Sequence, residues 1–167
     1  MTRPILVAGI GNLFLSDDGF GPEVVRRLVE AGQIQERVQV VDYGIRGMHL
    51  AYDLLEGYDA LVIADAVPRG ETPGDLTVMK IGEEDLGVGE FDAHGMNPVA
   101  VLGTLGRLGG TLPPTFVVGC RPESLEEGIE LSDRVCAAVP GAIAEIRALL
   151  ADLCSAREPE PAKTGRR

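Results

Sequence analysis

Ile5-Leu6-Val7-Ala8-Gly9-Ile10-Gly11-Asn12 reads as a buried strand running into a tight turn. Four apolar residues in unbroken succession need cover on both faces, the condition of a strand inside a parallel sheet. Ser16-Asp17-Asp18-Gly19 follows, and apolar residues then recur at Phe20, Val24, Val25, Leu28 and Val29. That spacing is helical and cap-type residues stand directly before it, so the first helix is expected to start near Gly19.

The same alternation continues along the chain. Val38 to Val41 predicts a second strand that ends in the polar Asp42-Tyr43-Gly44, and Met48 to Leu55 predicts a helix. Ala60-Leu61-Val62-Ile63-Ala64 is the most hydrophobic run and should be the central strand, ending at Asp65. After a turn over Pro68 to Pro73, Leu76 to Ile81 predicts a strand that suits an antiparallel edge, followed by a polar loop from Gly82 to Glu90. Asn97 to Leu108 has helical spacing, Thr115 to Val118 predicts the last strand, and Ser132 to Leu153 predicts a long closing helix with a bend at Pro140. Strands alternating with helices give a βαβ architecture with right-handed crossovers. One α/β domain is expected over residues 1–154, with a disordered, Pro- and charge-rich tail over 155–167.

Composition narrows the function. A chain of 167 residues with 45% hydrophobic and 25% charged residues suits a single globular core. Aromatics are only 4%, so that core must be aliphatic. The net charge of −11 repels phosphate backbones, which argues against a nucleic-acid ligand. Cys120, Cys136 and Cys154 are widely spaced and odd in number, so neither a metal clamp nor a disulfide framework is expected. The apolar start is too short for a signal peptide and no run approaches membrane-spanning length, which leads to a cytoplasmic location and no membrane partner.

In open α/β sheets ligands bind beyond the carboxyl ends of the strands. Those ends are acidic here: Asp17 and Asp18 after the first strand, Asp42 after the second, Asp65 at the third, and Asp92 with His94 in the loop after the fourth. Crowded carboxylates repel one another, and a shared divalent cation relieves that cost. Two carboxylates and an imidazole suit nickel, zinc or iron, with positions left open for water or substrate. Each residue also has a plainer reading. Either Asp17 or Asp18 would serve as a helix cap, Asp65 would satisfy donors in a turn, and His94 would be a hydrogen-bonded surface residue; His49 reads as structural or exposed.

Taken together, Gly9-Ile10-Gly11-Asn12, Ser16-Asp17-Asp18-Gly19-Phe20-Gly21, Ile63-Ala64-Asp65-Ala66 and His94 closely resemble the hydrogenase maturation endopeptidases, in the family's order over roughly residues 4–153, with Pro122-Glu123-Ser124 after the last strand. The resemblance implies a three-layer α/β/α fold with a twisted, mostly parallel five-stranded sheet between helices. It also implies that Asp18, Asp65 and His94 are the metal-binding and catalytic positions. The activity implied is cleavage of the C-terminal extension from a hydrogenase large-subunit precursor, by a monomer with no organic cofactor, the nickel being supplied by the precursor. Where many relatives carry Asp-Gly-Gly-Thr, this chain has Asp42-Tyr43-Gly44-Ile45-Arg46-Gly47. Asp42, Gly44, Arg46 and Gly47 are therefore expected to face the substrate, with Tyr43 and Arg46 adapting the loop to one large subunit.

Other chemistries fit less well. There is no HExxH for a zinc protease and no G-x-S-x-G for a serine hydrolase, while a Cys120/His94 pair rests on both residues following strands. A dinucleotide site fails because Phe14 stands where its third glycine belongs. Peptidyl-tRNA hydrolase shares the Gly-x-Gly-Asn opening, but the acidic charge and the lack of an early histidine oppose it. A non-enzymatic nickel chaperone would bind the metal and leave the precursor uncut.

Overall fold

Aliphatic runs of this length bury themselves by pairing edge to edge, and the first, third and fifth strands do so at the centre of one sheet. The computed structural model describes residues 2–82, 84, 85 and 98–155. Within them the order is β1 (Ile5–Ile10), a 3-10 turn (Ser16–Gly19), α1 (Phe20–Ala31), β2 (Val38–Gly44), α2 (Gly47–Leu54), β3 (Ala60–Ala66), β4 (Leu76–Ile81), α3 (Pro98–Arg107), β5 (Thr115–Cys120) and α4 (Asp133–Ser155). The strands lie in the order β2-β1-β3-β5-β4. Pairing is parallel except between β4 and β5, so β4 is the antiparallel edge that its sequence predicts and β3 is central.

The period of two along the strands divides the core between the faces of the sheet. Ile5, Val7, Val62, Ala64 and Val118 pack with α1 and α4 residues such as Val24, Leu28, Val139 and Ile146. Leu6, Ala8, Leu61, Ile63 and Val117 pack with Leu50 and Leu54 of α2 and Leu102 and Leu105 of α3. Every residue of β1 is buried, as its unbroken apolar run demands. Each isoleucine, leucine or valine side chain so removed from water contributes roughly 1.5–3 kcal/mol before the entropy of ordering is set against it.

The strands outrun their apolar stretches. β1 reaches Ile10, β2 reaches Gly44 and β3 reaches Ala66, because ladder bonds to neighbouring strands continue where hydrophobicity stops. Pro140 lies inside α4 without ending it. Ser155, assigned above to the tail, is the last residue of α4, and the rest of the expected tail lies outside the described residues. So does most of the segment between β4 and α3, including Asp92 and His94. The cysteines are free.

One close approach sets the position of the 3-10 turn over the sheet. Gly21, in the first turn of α1, lies so near the strands that a Cβ there would strike the carbonyl oxygens of Ala64 and Ile10. Both are backbone atoms and cannot yield as a side-chain tip would. Gly21→Ala is accordingly expected to lower stability by about 3 kcal/mol, at the upper end of overpacking costs, as a shift in the urea midpoint.

Candidate active site

The turn after β1 is built by backbone geometry first. Gly11 sits at φ +147, and a Cβ on it would strike the carbonyl oxygen of Asp18, so the chain can fold back tightly here only with glycine. The Asn12 N–H then donates to the Asp18 carboxylate at 2.8 Å, and the Phe14 N–H donates to the Asn12 side chain at 2.9 Å. The turn thereby presents two adjacent acids with different surroundings.

Asp17 is fully buried. Its carboxylate accepts the N–H groups of Glu123 at 2.9 Å, Ser124 at 3.1 Å and Ser132 at 2.7 Å, and the Ser132 hydroxyl at 2.8 Å. Burial alone would raise its pKa, but these bonds to the charged form outweigh burial and hold the carboxyl below the usual range. Asp17 thus buckles the turn to the segment after β5. Neither the 3-10 turn nor α1 receives a side-chain cap, so the helix-cap reading of the pair does not hold.

Asp18 is half-buried and lies near Asp65, the penultimate residue of β3. Asp65 is only 6% exposed and pairs across the sheet with Gly119. Burial first, and the neighbouring Asp18 charge second, push the Asp65 carboxyl well above the usual range, against a single lowering contribution from the Ala66 N–H. Among the described residues no lysine or arginine forms an ion pair with either carboxylate. A dry carboxylate beside a like charge is what a divalent cation would stabilise, so this donor pair fits a metal ion. No third His, Cys, Asp or Glu among the described residues joins the two acids to complete a metal-binding group. His94, the third member of the expected set, lies outside those residues.

The loop after β2 borders the same rim, because the Gly11 N–H donates to the Gly44 carbonyl at 3.0 Å. Asp42 is exposed and accepts the Gly44 N–H at 2.9 Å, and Gly44 has φ +55. Arg46 is exposed and donates to the Asp42 carbonyl at 3.3 Å; Gly47 is buried at the start of α2. Tyr43 corrects the expectation that it adapts the loop to a substrate: it is 2% exposed and its hydroxyl donates to Asp53 at 2.7 Å. Strand pairing reaches Gly44, and that extension makes Tyr43 a core residue.

Cys120 is likewise a core residue. Burial, followed by the Asp17 charge, pushes its thiol up to about 11, which removes the thiolate that a Cys120/His94 pair would need near neutral pH. His49 is exposed on α2. The sequence signals of the segment from Glu123 to Ser132, Pro122-Glu123-Ser124 after the last strand and Ser132 directly before α4, do not disclose its bonds to Asp17.

A family model described as hydrogenase maturation protease matches residues 22–149, a span that holds Asp65 and begins after Asp18. The chain is 34% identical over 149 residues to the hydrogenase 2 maturation protease of Escherichia coli (strain K12), covering 87% of this chain and 90% of that one. It is 34% identical over 144 residues to the hydrogenase expression/formation protein HupD of Rhodobacter capsulatus, covering 84% and 68%. In three dimensions it is similar to the hydrogenase maturating endopeptidase HybD from E. coli, with a TM-score of 0.78, 31% identity and coverage of 90% and 93%.

Proposed function

Because the chain belongs to the hydrogenase maturation protease family and is therefore a peptidase, we propose that it removes the C-terminal extension of a hydrogenase large-subunit precursor once that precursor carries nickel. The observation that carries this reading is the Asp18–Asp65 pair, a buried carboxyl held next to a half-buried like charge. A cation already held by the substrate would relieve that repulsion on docking, so only a metal-loaded precursor gains the interaction. Nickel belongs to the substrate in this reading, and no organic cofactor is required.

Asp18 and Asp65 supply the oxygen ligands, and His94 supplies the nitrogen ligand of the set. The ion so held offers Lewis acidity to the scissile carbonyl or to the attacking water. Asp65 comes from a strand packed on both faces, while Asp18 is held by the Asn12 N–H and by the Asp17 buckle beside it. Such fixed placement is what positions a peptide bond for attack. In this reading the loop of Asp42, Gly44 and Arg46 faces the precursor, with Arg46 as its exposed cation and Gly47 buried behind it at the start of α2. No described helix is long and apolar enough to cross a membrane; the reading places the reaction in the cytoplasm with the chain acting as a monomer.

The decisive experiment incubates the chain with nickel-loaded and with nickel-free large-subunit precursor and weighs the products by mass spectrometry. Shortening of the loaded precursor alone is expected. Equal shortening of both removes the role given to nickel, and full-length precursor in both cases ends the reading as a whole, as a pure nickel carrier would behave. Arg46→Ala is expected to weaken precursor binding about tenfold through loss of a charge-assisted contact, with stability unchanged; titration calorimetry giving wild-type affinity would count against that role.

A further inference from the structure

Beside the acid pair, large apolar side chains stand in solvent on a firmly bonded backbone. Leu13, Phe14, Leu125 and Ile129 are 49%, 71%, 52% and 77% exposed. The two loops that carry them are laced together. The Gly128 N–H donates to the Phe14 carbonyl at 2.9 Å, the Ser16 N–H to the Gly128 carbonyl at 2.9 Å, and the Ser16 hydroxyl to the Glu126 carbonyl at 2.8 Å. Asp17 adds its bonds to Glu123, Ser124 and Ser132. Between the loops lies a cleft of 320 Å³ whose lining includes Leu13, Ile129 and Leu131. A single exposed leucine needs no account, whereas four large apolar side chains on two laced loops, with Leu13 and Ile129 at the cleft itself, mark a contact surface.

Charge identifies the occupant. Glu123, Glu126, Glu127 and Glu130 are all exposed in the second loop, and Glu130 lines the cleft. Arg27, which also lines it, is tied to Glu23 at 2.7 Å, and Arg121 donates to the Gly70 carbonyl at 3.2 Å. A cleft that joins Leu13, Ile129 and Leu131 to the acids Glu23 and Glu130, with its one arginine already paired, is complementary to a segment in which apolar side chains alternate with lysine or arginine.

We propose that this platform docks such a segment of the large-subunit precursor, seating its apolar side chains between Leu13 and Ile129 and its cations against Glu126, Glu127 and Glu130. This rests on the precursor being the substrate, and it adds where and by what chemistry that substrate is gripped outside the metal-binding pair. The lacing of the loops means that little backbone ordering remains to be done on binding.

The test measures KM and kcat for release of the extension from nickel-loaded precursor, with thermal melts to confirm folding. Two double variants, Phe14→Ser/Ile129→Ser and Glu126→Lys/Glu127→Lys, are each expected to raise KM about tenfold or more while kcat stays within about twofold. The wild-type KM should rise with salt and the lysine variant should flatten that dependence. Val29→Ser, on the exposed side of α1, should leave both constants alone. Wild-type KM in both double variants overturns the proposal. So does an effect confined to Met48→Ser/Tyr52→Ser, which alters a rival exposed apolar stripe on α2. If the wild type does not shorten the loaded precursor, the reading as a protease of that substrate falls separately. Docking is then judged by calorimetric affinity for the same precursor, expected about tenfold weaker in both double variants, and equal affinity overturns it.

Discussion

Asp65→Asn is expected to abolish precursor shortening, by at least about 100-fold, while making the metal-free protein more stable at neutral pH. Both effects come from one position. Asp65 sits near the end of a strand packed on both faces, beside the Asp18 charge, with the Ala66 N–H as its one lowering influence. Ionised, it is a buried like charge; as asparagine it keeps its size and loses that repulsion. The gain should be on the order of 1 kcal/mol or more, read as a higher thermal midpoint. The sign follows from proton linkage. A carboxyl whose folded pKa is raised binds its proton more tightly in the folded state. Its stabilising contribution is therefore complete below the unfolded value of about 4 and is lost as pH rises through the folded value. The advantage of the asparagine variant should accordingly vanish in acid, where both side chains are neutral. A variant that melts below the wild type at pH 7 would mean that the Asp65 charge is compensated even without substrate.

Asp17 and Asp18 are neighbours with opposite expected phenotypes. Asp17→Ala leaves the Glu123, Ser124 and Ser132 N–H groups without their common acceptor and should cost about 3–5 kcal/mol, comparable to breaking a buried ionic network. Asp18→Ala loses one hydrogen bond, from the Asn12 N–H, and also relieves Asp65 of a like charge. Its stability should change by no more than about 1 kcal/mol, yet processing should stop. Urea midpoints and the mass-spectrometric assay run on both variants decide the matter. An active, unstable Asp18→Ala beside a stable, inactive Asp17→Ala would reverse the assignment.

Much of this architecture could be read residue by residue. The unbroken runs Ile5 to Ala8 and Ala60 to Ala64 announced strands covered on both faces, and the sheet places them side by side. Leu76 to Ile81 was legible as an antiparallel edge. Of the candidate site, Asp65 and the acid pair stood out because carboxylates at strand ends have no packing reason to be there. The residue pattern alone left Asp17 and Asp18 equivalent, and only the family resemblance singled out Asp18. What escaped was the buried role of Asp17, the inward turn of Tyr43 and the bonding of the segment from Glu123 to Ser132 onto the turn.

The difference has a simple physical origin. Hydrophobic period and turn chemistry are local properties, so the primary structure alone determined which segments form strands and helices and put the acids at the ends of β1, β2 and β3, which parallel pairing gathers at one edge; the antiparallel β4 instead ends at the opposite edge, beside Thr115. A carboxylate's role depends instead on what surrounds it, and the partners that make Asp17 a buckle come from residues more than a hundred positions away. Nothing near Asp17 or Asp18 in the chain separates them; only the packed fold gives one its four donors and leaves the other beside Asp65.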